Sequence, residues 1–236
     1  MSVVMGVHPG GRSSFAICGL FWSGRLPALF FSSRSYSCVQ EVLDNIVGVS
    51  GEWGQIVGIA VDAPLTWSAT SGGMRGCDKK LRAHVPTWVP NSWVRAPNAQ
   101  PGAATIQGPA LVWSLAHEAK RGLLELPFFY EGHARASLAL IAPDLREAVL
   151  GYRKRGVDAP TRRKYAHRLV ERTIESGIVR LEAPRPTTAG ELDALICAVT
   201  ALGTVHPESG LVIRELTGDI IRPVGKRSLH IIDALP

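Results

Sequence analysis

Cysteine is scarce in this chain of 236 residues, and what there is sits badly for chemistry. Cys18, Cys38, Cys77 and Cys197 lie far apart, with no CxxC pair and no Cys/His pair at zinc-ligand spacing, which excludes a structural zinc module. Long apolar runs are missing as well. No segment offers the roughly 20 apolar residues of a membrane span, and the opening MSVVMGVHPGG has no basic stretch followed by a sustained apolar one, as an export signal has. The expectation is a cytoplasmic protein with reduced thiols and no membrane partner. Internal repeats and low-complexity tracts are absent, and so is the polarity that keeps a chain disordered: 46% of the residues are hydrophobic and 19% charged, a globular balance. The length suits one large domain or two small ones; residues 1–236 are read as a single domain with a loop insertion around 85–109.

The formal charge is +6, and the excess is unevenly spread. Arg146 to Arg172 holds Arg153, Lys154, Arg155, Arg162, Arg163, Lys164, Arg168 and Arg172, the most basic segment of the chain. A basic stripe beside an acidic site suits a polyanion, because phosphate neutralisation supplies most nonspecific nucleic-acid affinity. Taken alone, the same stripe fits a solvated helix face equally well.

Along the chain, VVMGVH, SFAICGLFW and LPALFFSS read as three strands of an antiparallel meander, separated by Gly-rich or Gly/Arg/Pro turns. Residues 37–50 carry Val39, Val42, Leu43, Ile46 and Val47 at helical spacing, with Ser37 as N-cap. QIVGIAVDAPL is too apolar and β-branched for a half-exposed strand, so a buried central strand between parallel neighbours is expected. Residues 85–109, dense in Pro, Asn, Gly and Trp, have no period and read as a long ordered loop or lid, with Trp88 and Trp93 arguing against disorder. Helical patterns follow at 109–124, 134–150 and 160–176, with the short strand LPFFYEGH between the first two. Residues 187–203 form a further helix, with Thr188 and Glu191 at capping-box spacing. GLVIRELTGDIIRP and SLHIIDALP look like hairpin material. The fold class is α/β.

Carboxylates embedded in apolar sequence are costly unless a metal or a partner compensates them. Asp62 ends the run Gln55 to Val61, which puts it at the C-terminal edge of a central strand, where α/β sheets place ligands. Glu131 follows LPFFY in the same way. Asp193 lies among Leu192, Ala194, Leu195 and Ile196 near a helix start. Three such acids form an oxygen set suited to Mg²⁺ or Mn²⁺. Each also has an ordinary reading: Asp62 as a turn cap before Pro64, Asp193 as a first-turn acid, and Glu131 as a partner of His133 or Arg135.

Taken in order, VGIAVDAPL, RGCDKKLR (Arg75 to Arg82), YEGHARASL (Tyr130 to Leu138), ELDALICAVTAL (Glu191 to Leu202) and the closing TGDIIRP resemble the DUF429 group of predicted nucleases. That group has a ribonuclease-H-like fold related to RuvC-type resolvases, and the resemblance covers most of the chain. It implies a mixed sheet of three antiparallel strands followed by parallel ones, flanked by helices. It also implies that Asp62, Glu131 and Asp193 are metal ligands and catalytic residues, and that Arg75, Asp78 and Arg82 line the approach. With Lys79, Arg162 and Arg163 these would hold a nucleic-acid backbone, DNA or RNA.

Two positions depart from the family. Its first-strand motif of glycine, apolar residue and aspartate reads Gly6, Val7, His8 here, and Gly132 and Ala134 stand where a glutamate-X-histidine/tyrosine-proline pattern is usual. His8 offers one nitrogen where a bridging carboxylate is expected. It is read as a ligand favouring Mn²⁺ or a later metal, as a general base or water-orienting group, or as the mark of a degenerate site that binds without cutting. His84, His117, His167, His206 and His230 show no mutual spacing that suggests a site. The leading expectation is therefore a metal-dependent phosphodiesterase acting on nucleic acid, with a homodimer left open. The alternatives are a degenerate nucleic-acid- or protein-binding module and an actin-like ATP-binding phosphotransfer protein; the second is weakened by the lack of a Gly-rich phosphate loop.

Overall fold

The structure is a computed structural model. It describes residues 2–10, 15–22, 28–32, 36–67, 72–97, 102, 104–175, 180–181, 185–209, 211–216 and 229–234. Strands β1 (Ser2–His8), β2 (Ala16–Trp22) and β3 (Ala28–Ser32) form the expected antiparallel meander. After helix α1 (Val39–Trp53), β4 (Gln55–Val61) returns parallel to β1, and β5 (Phe128–Gly132) lies parallel to β4. Strand β4 is thus the buried central strand its composition requires. The two-residue β6 (Arg180–Leu181) pairs parallel with β3, and the hairpin of β7 (Val212–Leu216) and β8 (Leu229–Ala234) joins the other edge through a parallel β5–β8 contact. Among the described residues the result is a mixed eight-stranded sheet of order β6-β3-β2-β1-β4-β5-β8-β7, flanked by helices. TGDIIRP lies outside the described residues.

The remaining helices are α2 (Gly76–His84), α3 (Ala104–Lys120), α4 (Ala134–Ile141), α5 (Arg146–Gly151), α6 (Ala159–Glu175) and α7 (Ala189–Val205). They sort by face. Side chains of alternate strand residues Val3, Met5, Val7, Ile59 and Val61 pack with α1 and α3, while Val4, Ala60 and Tyr130 face α4, α5, α6 and α7. Helix α7 is buried from Glu191 through Gly203 and lies across β1, β2 and β4. A helix apolar on all sides has to sit inside the core. It starts as its sequence requires: Thr188 accepts from the Glu191 backbone N–H, and Glu191 caps the Thr188 backbone in return. No described helix is long and apolar enough to cross a membrane.

Four details differ from the sequence expectation. The N-cap of α1 is Cys38, not Ser37; the Ser37 backbone N–H instead donates to Glu41 Oε2 at 2.9 Å. Helix α3 begins five residues before Pro109, inside the expected loop, because Gly108 and Pro109 are buried where the helix crosses the end of β4 near Ala63. The 134–150 helix is two helices, since Pro143 lacks an N–H and opens a separate 3₁₀ turn over Pro143–Leu145. Helix α2 was not expected at all: it is nine residues long with only Cys77 and Leu81 as buried apolar residues, too short a pattern to stand out in the sequence.

Candidate metal centre

Strands β1 and β4 run parallel with Val7 level with Val61, so the next residues, His8 and Asp62, leave the same sheet edge side by side. The Asp62 backbone N–H continues the ladder to the Val7 carbonyl at 2.8 Å. Both side chains follow the pleat onto the α7 face. There α7 presses on β1 at Gly6, where a Cβ would lie 1.9 Å from the Ala194 carbonyl oxygen. Only glycine allows that approach, and it delivers Asp193, fully buried, to the same place. One ligand atom from each of His8, Asp62 and Asp193 falls within 4.8 Å of the others.

Every atom of this cluster is held. His8 Nδ1 lies 2.9 Å from Asp62 Oδ2 and 3.7 Å from Asp193 Oδ2. Asp62 Oδ1 accepts from the Ala134 backbone N–H at 3.0 Å, at the start of α4. Asp193 Oδ1 accepts from the Tyr152 hydroxyl at 2.6 Å, and its Oδ2 is paired with Arg153 Nη1. Arg153 Nη2 stands 3.3 Å from His8 Nε2. A carboxylate can only accept and a guanidinium can only donate, so Nδ1 carries the proton toward Asp62 and Nε2 offers its lone pair to Arg153. Burial pushes the Asp62 carboxyl up, but the hydrogen bond from His8 and the nearby Arg153 charge outweigh it and hold the group well below the usual carboxylate range. Burial, and then the Asp193 charge, push the Tyr152 hydroxyl well above its ordinary value, so it stays a donor.

This donor set can hold one divalent ion. Ligand atoms bonded to a single ion at 2.0–2.6 Å stand no more than about 5 Å apart, a condition that the cluster meets. Arg153 competes for the same lone pairs, so an ion must displace its guanidinium.

Glu131 lines the same cavity, of about 360 Å³, but does not join the cluster. It pairs with Val61, one residue short of Asp62, and the pleat therefore sends its side chain to the opposite face of the sheet from α7. There Oε2 accepts from the Leu65 backbone N–H at 2.8 Å and from Arg75 Nη1 at 2.7 Å, and Oε1 is paired with Arg75 Nη2. The alternative partners lie elsewhere: His133 caps α4 and contacts the Trp93 carbonyl, and Arg135 stacks over the Trp93 ring at 4.3 Å.

Arg75 and Asp78 also line the cavity, yet both are buried. Asp78 is bound to Arg75 through Nε at 3.0 Å and Nη2 at 2.7 Å, and Nη1 also reaches Thr66 Oγ1 at 2.9 Å. Arg75 has no N–H left for a substrate; the residue expected to hold phosphate instead locks Glu131 and α2 in place. Lys79 is exposed and lies outside the cavity lining. Arg82 donates to the Val94 carbonyl at 2.8 Å and the Asn91 carbonyl at 3.3 Å, tying down the stretch Ser92 to Arg95 that walls the cavity. Arg162 and Arg163 line a second cleft. Arg153 and Tyr152 are the site residues that sequence alone did not single out. Arg153 was visible only as one cation of a basic run, and no spacing marks which of those cations turns inward.

Comparison of the chain with protein-family models, with curated proteins and with solved structures finds no match.

Proposed function

We propose that this chain is a metal-dependent phosphodiesterase acting on nucleic acid, with His8, Asp62 and Asp193 holding one Mn²⁺ or Mg²⁺. The observation that carries this reading is the convergence of His8 and Asp62, at the C-terminal ends of the parallel strands β1 and β4, with Asp193 from the first turns of α7, beside a guanidinium. The kinship to the DUF429 group and its ribonuclease-H-like fold belongs to the same proposal. It is supported by three antiparallel strands followed by parallel ones, in the order the motifs predict. A bound divalent ion supplies charge for the phosphate oxygens and lowers the pKa of an attacking water. The chain's own residues do the rest. Tyr152 and the Ala134 N–H fix the two carboxylates, Arg153 presents a guanidinium to the phosphate once freed from Asp193, and Trp93 with Arg135 forms the opposite wall. Because Glu131 is committed to Arg75, a single ion is proposed.

A second reading has an observation of its own. Arg153 already pairs with Asp193, and His8 and the Ala134 N–H hydrogen-bond Asp62, so every ligand atom of the site has a partner without an ion and the fold could serve as a nucleic-acid-binding module. A panel of single- and double-stranded DNA and RNA, incubated with Mn²⁺ or Mg²⁺, separates the two. Cleavage that disappears in Asp62→Asn and Asp193→Asn supports the phosphodiesterase. Metal-independent binding without cleavage, unchanged in both variants, supports the module.

A further inference from the structure

A second cleft, also of about 360 Å³, opens on the far side of Arg153. Arg153, Arg162 and Arg163 line it, with Thr187 and Thr188 at the start of α7, and among the described residues no acidic one contributes to its wall. The nearby acids are occupied. Asp158 Oδ1 accepts from the Thr161 backbone N–H at 2.9 Å at the start of α6, and Glu191 Oε2 accepts from the Thr187 hydroxyl at 3.0 Å and the Thr188 N–H at 3.1 Å. Arg162 and Arg163 form no ion pair among the described residues. The start of α7 is already capped and adds little, so the cleft's character comes from its guanidinium groups. Arg153 is compensated by Asp193, and Arg162 has the Asp158 carboxylate nearby, but neither Arg162 nor Arg163 is ion-paired among the described residues; two such like charges beside one concavity repel one another, and an anion between them relieves that repulsion. Planar guanidinium forks match the tetrahedral oxygens of phosphate better than those of a compact monovalent anion.

Arg153 lines both clefts. From these observations we infer that the second cleft is a phosphate subsite. It takes the backbone phosphate next to the one at the acidic centre, so that a nucleic-acid strand lies across Arg153. The adjacency rests on the phosphodiesterase reading; the anion affinity of the cleft does not.

The test uses the full chain and a fluorescently labelled ten-nucleotide single strand, without metal, over a series of salt concentrations. Arg162→Ala/Arg163→Ala should weaken binding about tenfold and make the log-log salt slope shallower by about 0.7, the value for one phosphate on a single strand. Arg162→Lys/Arg163→Lys should recover the slope while recovering the affinity only in part, because charge is kept and the fork is lost. Lys120→Ala, on α3 across the sheet, serves as the control. Unchanged affinity and slope in the double alanine variant, with an unchanged melting curve, would overturn the subsite. If that result came with metal-dependent cleavage and an unaltered KM, the phosphodiesterase reading would survive without it. If the double variant loses binding but no metal supports cleavage by the parent chain, the subsite stands and the phosphodiesterase reading fails.

Discussion

Gly6 lies so close under Ala194 that a methyl group on it would meet the Ala194 carbonyl oxygen at 1.9 Å and the Ala198 nitrogen at 2.1 Å. Both are backbone atoms of α7, and they cannot turn aside as a side chain can. Gly6→Ala should therefore lift α7 from β1, at a cost of about 1–3 kcal/mol or more. Asp193 would move away from His8 with it. A lowered denaturation midpoint together with lost Mn²⁺ affinity is the expected result; stability and affinity equal to the parent would mean that α7 is not what positions the centre. Gly48 is the contrast, since a Cβ there meets nothing within 4 Å inside α1. Gly48→Ala should stabilise by about 0.5–1 kcal/mol.

The Arg75–Glu131 pair makes a different prediction. Both groups are buried, and Arg75 is also held by Asp78 and Thr66. Glu131→Ala leaves a buried guanidinium short of a partner, which costs on the order of 3–5 kcal/mol. The milder Glu131→Gln keeps one acceptor and should fold. Calorimetric titration of that variant with Mn²⁺ should still give one site with the parent's affinity. A loss of the site in Glu131→Gln would make the glutamate a ligand after all.

How much of this could be read from sequence depends on which periodicity carried the information. The acids at 62 and 193 were visible because each ends or opens a buried element, and apolar runs mark such ends clearly; His8 was singled out only by the resemblance, standing where the first-strand aspartate is usual. The partner of Glu131 was not visible. Whether a strand-end carboxylate faces α7 or the other side depends on a one-residue register between β4 and β5, and register is set by tertiary pairing rather than by the composition of FFYEG. Helix α2 escaped for a related reason. Its start is held by Asp78, which accepts from the Arg75 backbone N–H, and by the Arg75–Glu131 ion pair, and no run of apolar positions marks either.

Arg153 and a divalent ion want the same lone pairs, and that competition can be measured. Its side chain is partly exposed, so Arg153→Ala should cost only about 1–3 kcal/mol, mostly because the buried Asp193 carboxylate loses its cation. A metal can replace that cation. The variant should melt below the parent in chelator and regain the difference in Mn²⁺, with a larger metal-induced shift than the parent shows. Equal shifts in the two proteins would mean that the ion does not displace the guanidinium.

On the metal-centre reading, His8 should set which ion is preferred. Its Nδ1 is turned to Asp62 and its Nε2 to Arg153, so binding an ion exchanges the guanidinium for a metal on an imidazole lone pair. Imidazole is a better ligand for Mn²⁺ than for Mg²⁺, and the parent chain should accordingly be stabilised more by Mn²⁺ at equal concentration. His8→Asp replaces the nitrogen with a carboxylate beside Asp62 and Asp193. Three acids in one buried cluster repel, so this variant should be less stable than the parent in chelator. Mg²⁺ should reverse the order: an ion present at 100 times its Kd contributes about 2.7 kcal/mol. If the chain cleaves phosphodiesters, His8→Asp should also raise Mg²⁺-dependent cleavage. Thermal denaturation in chelator, Mg²⁺ and Mn²⁺, run beside the cleavage panel, checks both statements. If His8→Asp changes neither metal response nor cleavage, and Asp62→Asn is equally silent, the three residues do not form a metal centre and the nucleic-acid-binding module becomes the better account of the fold.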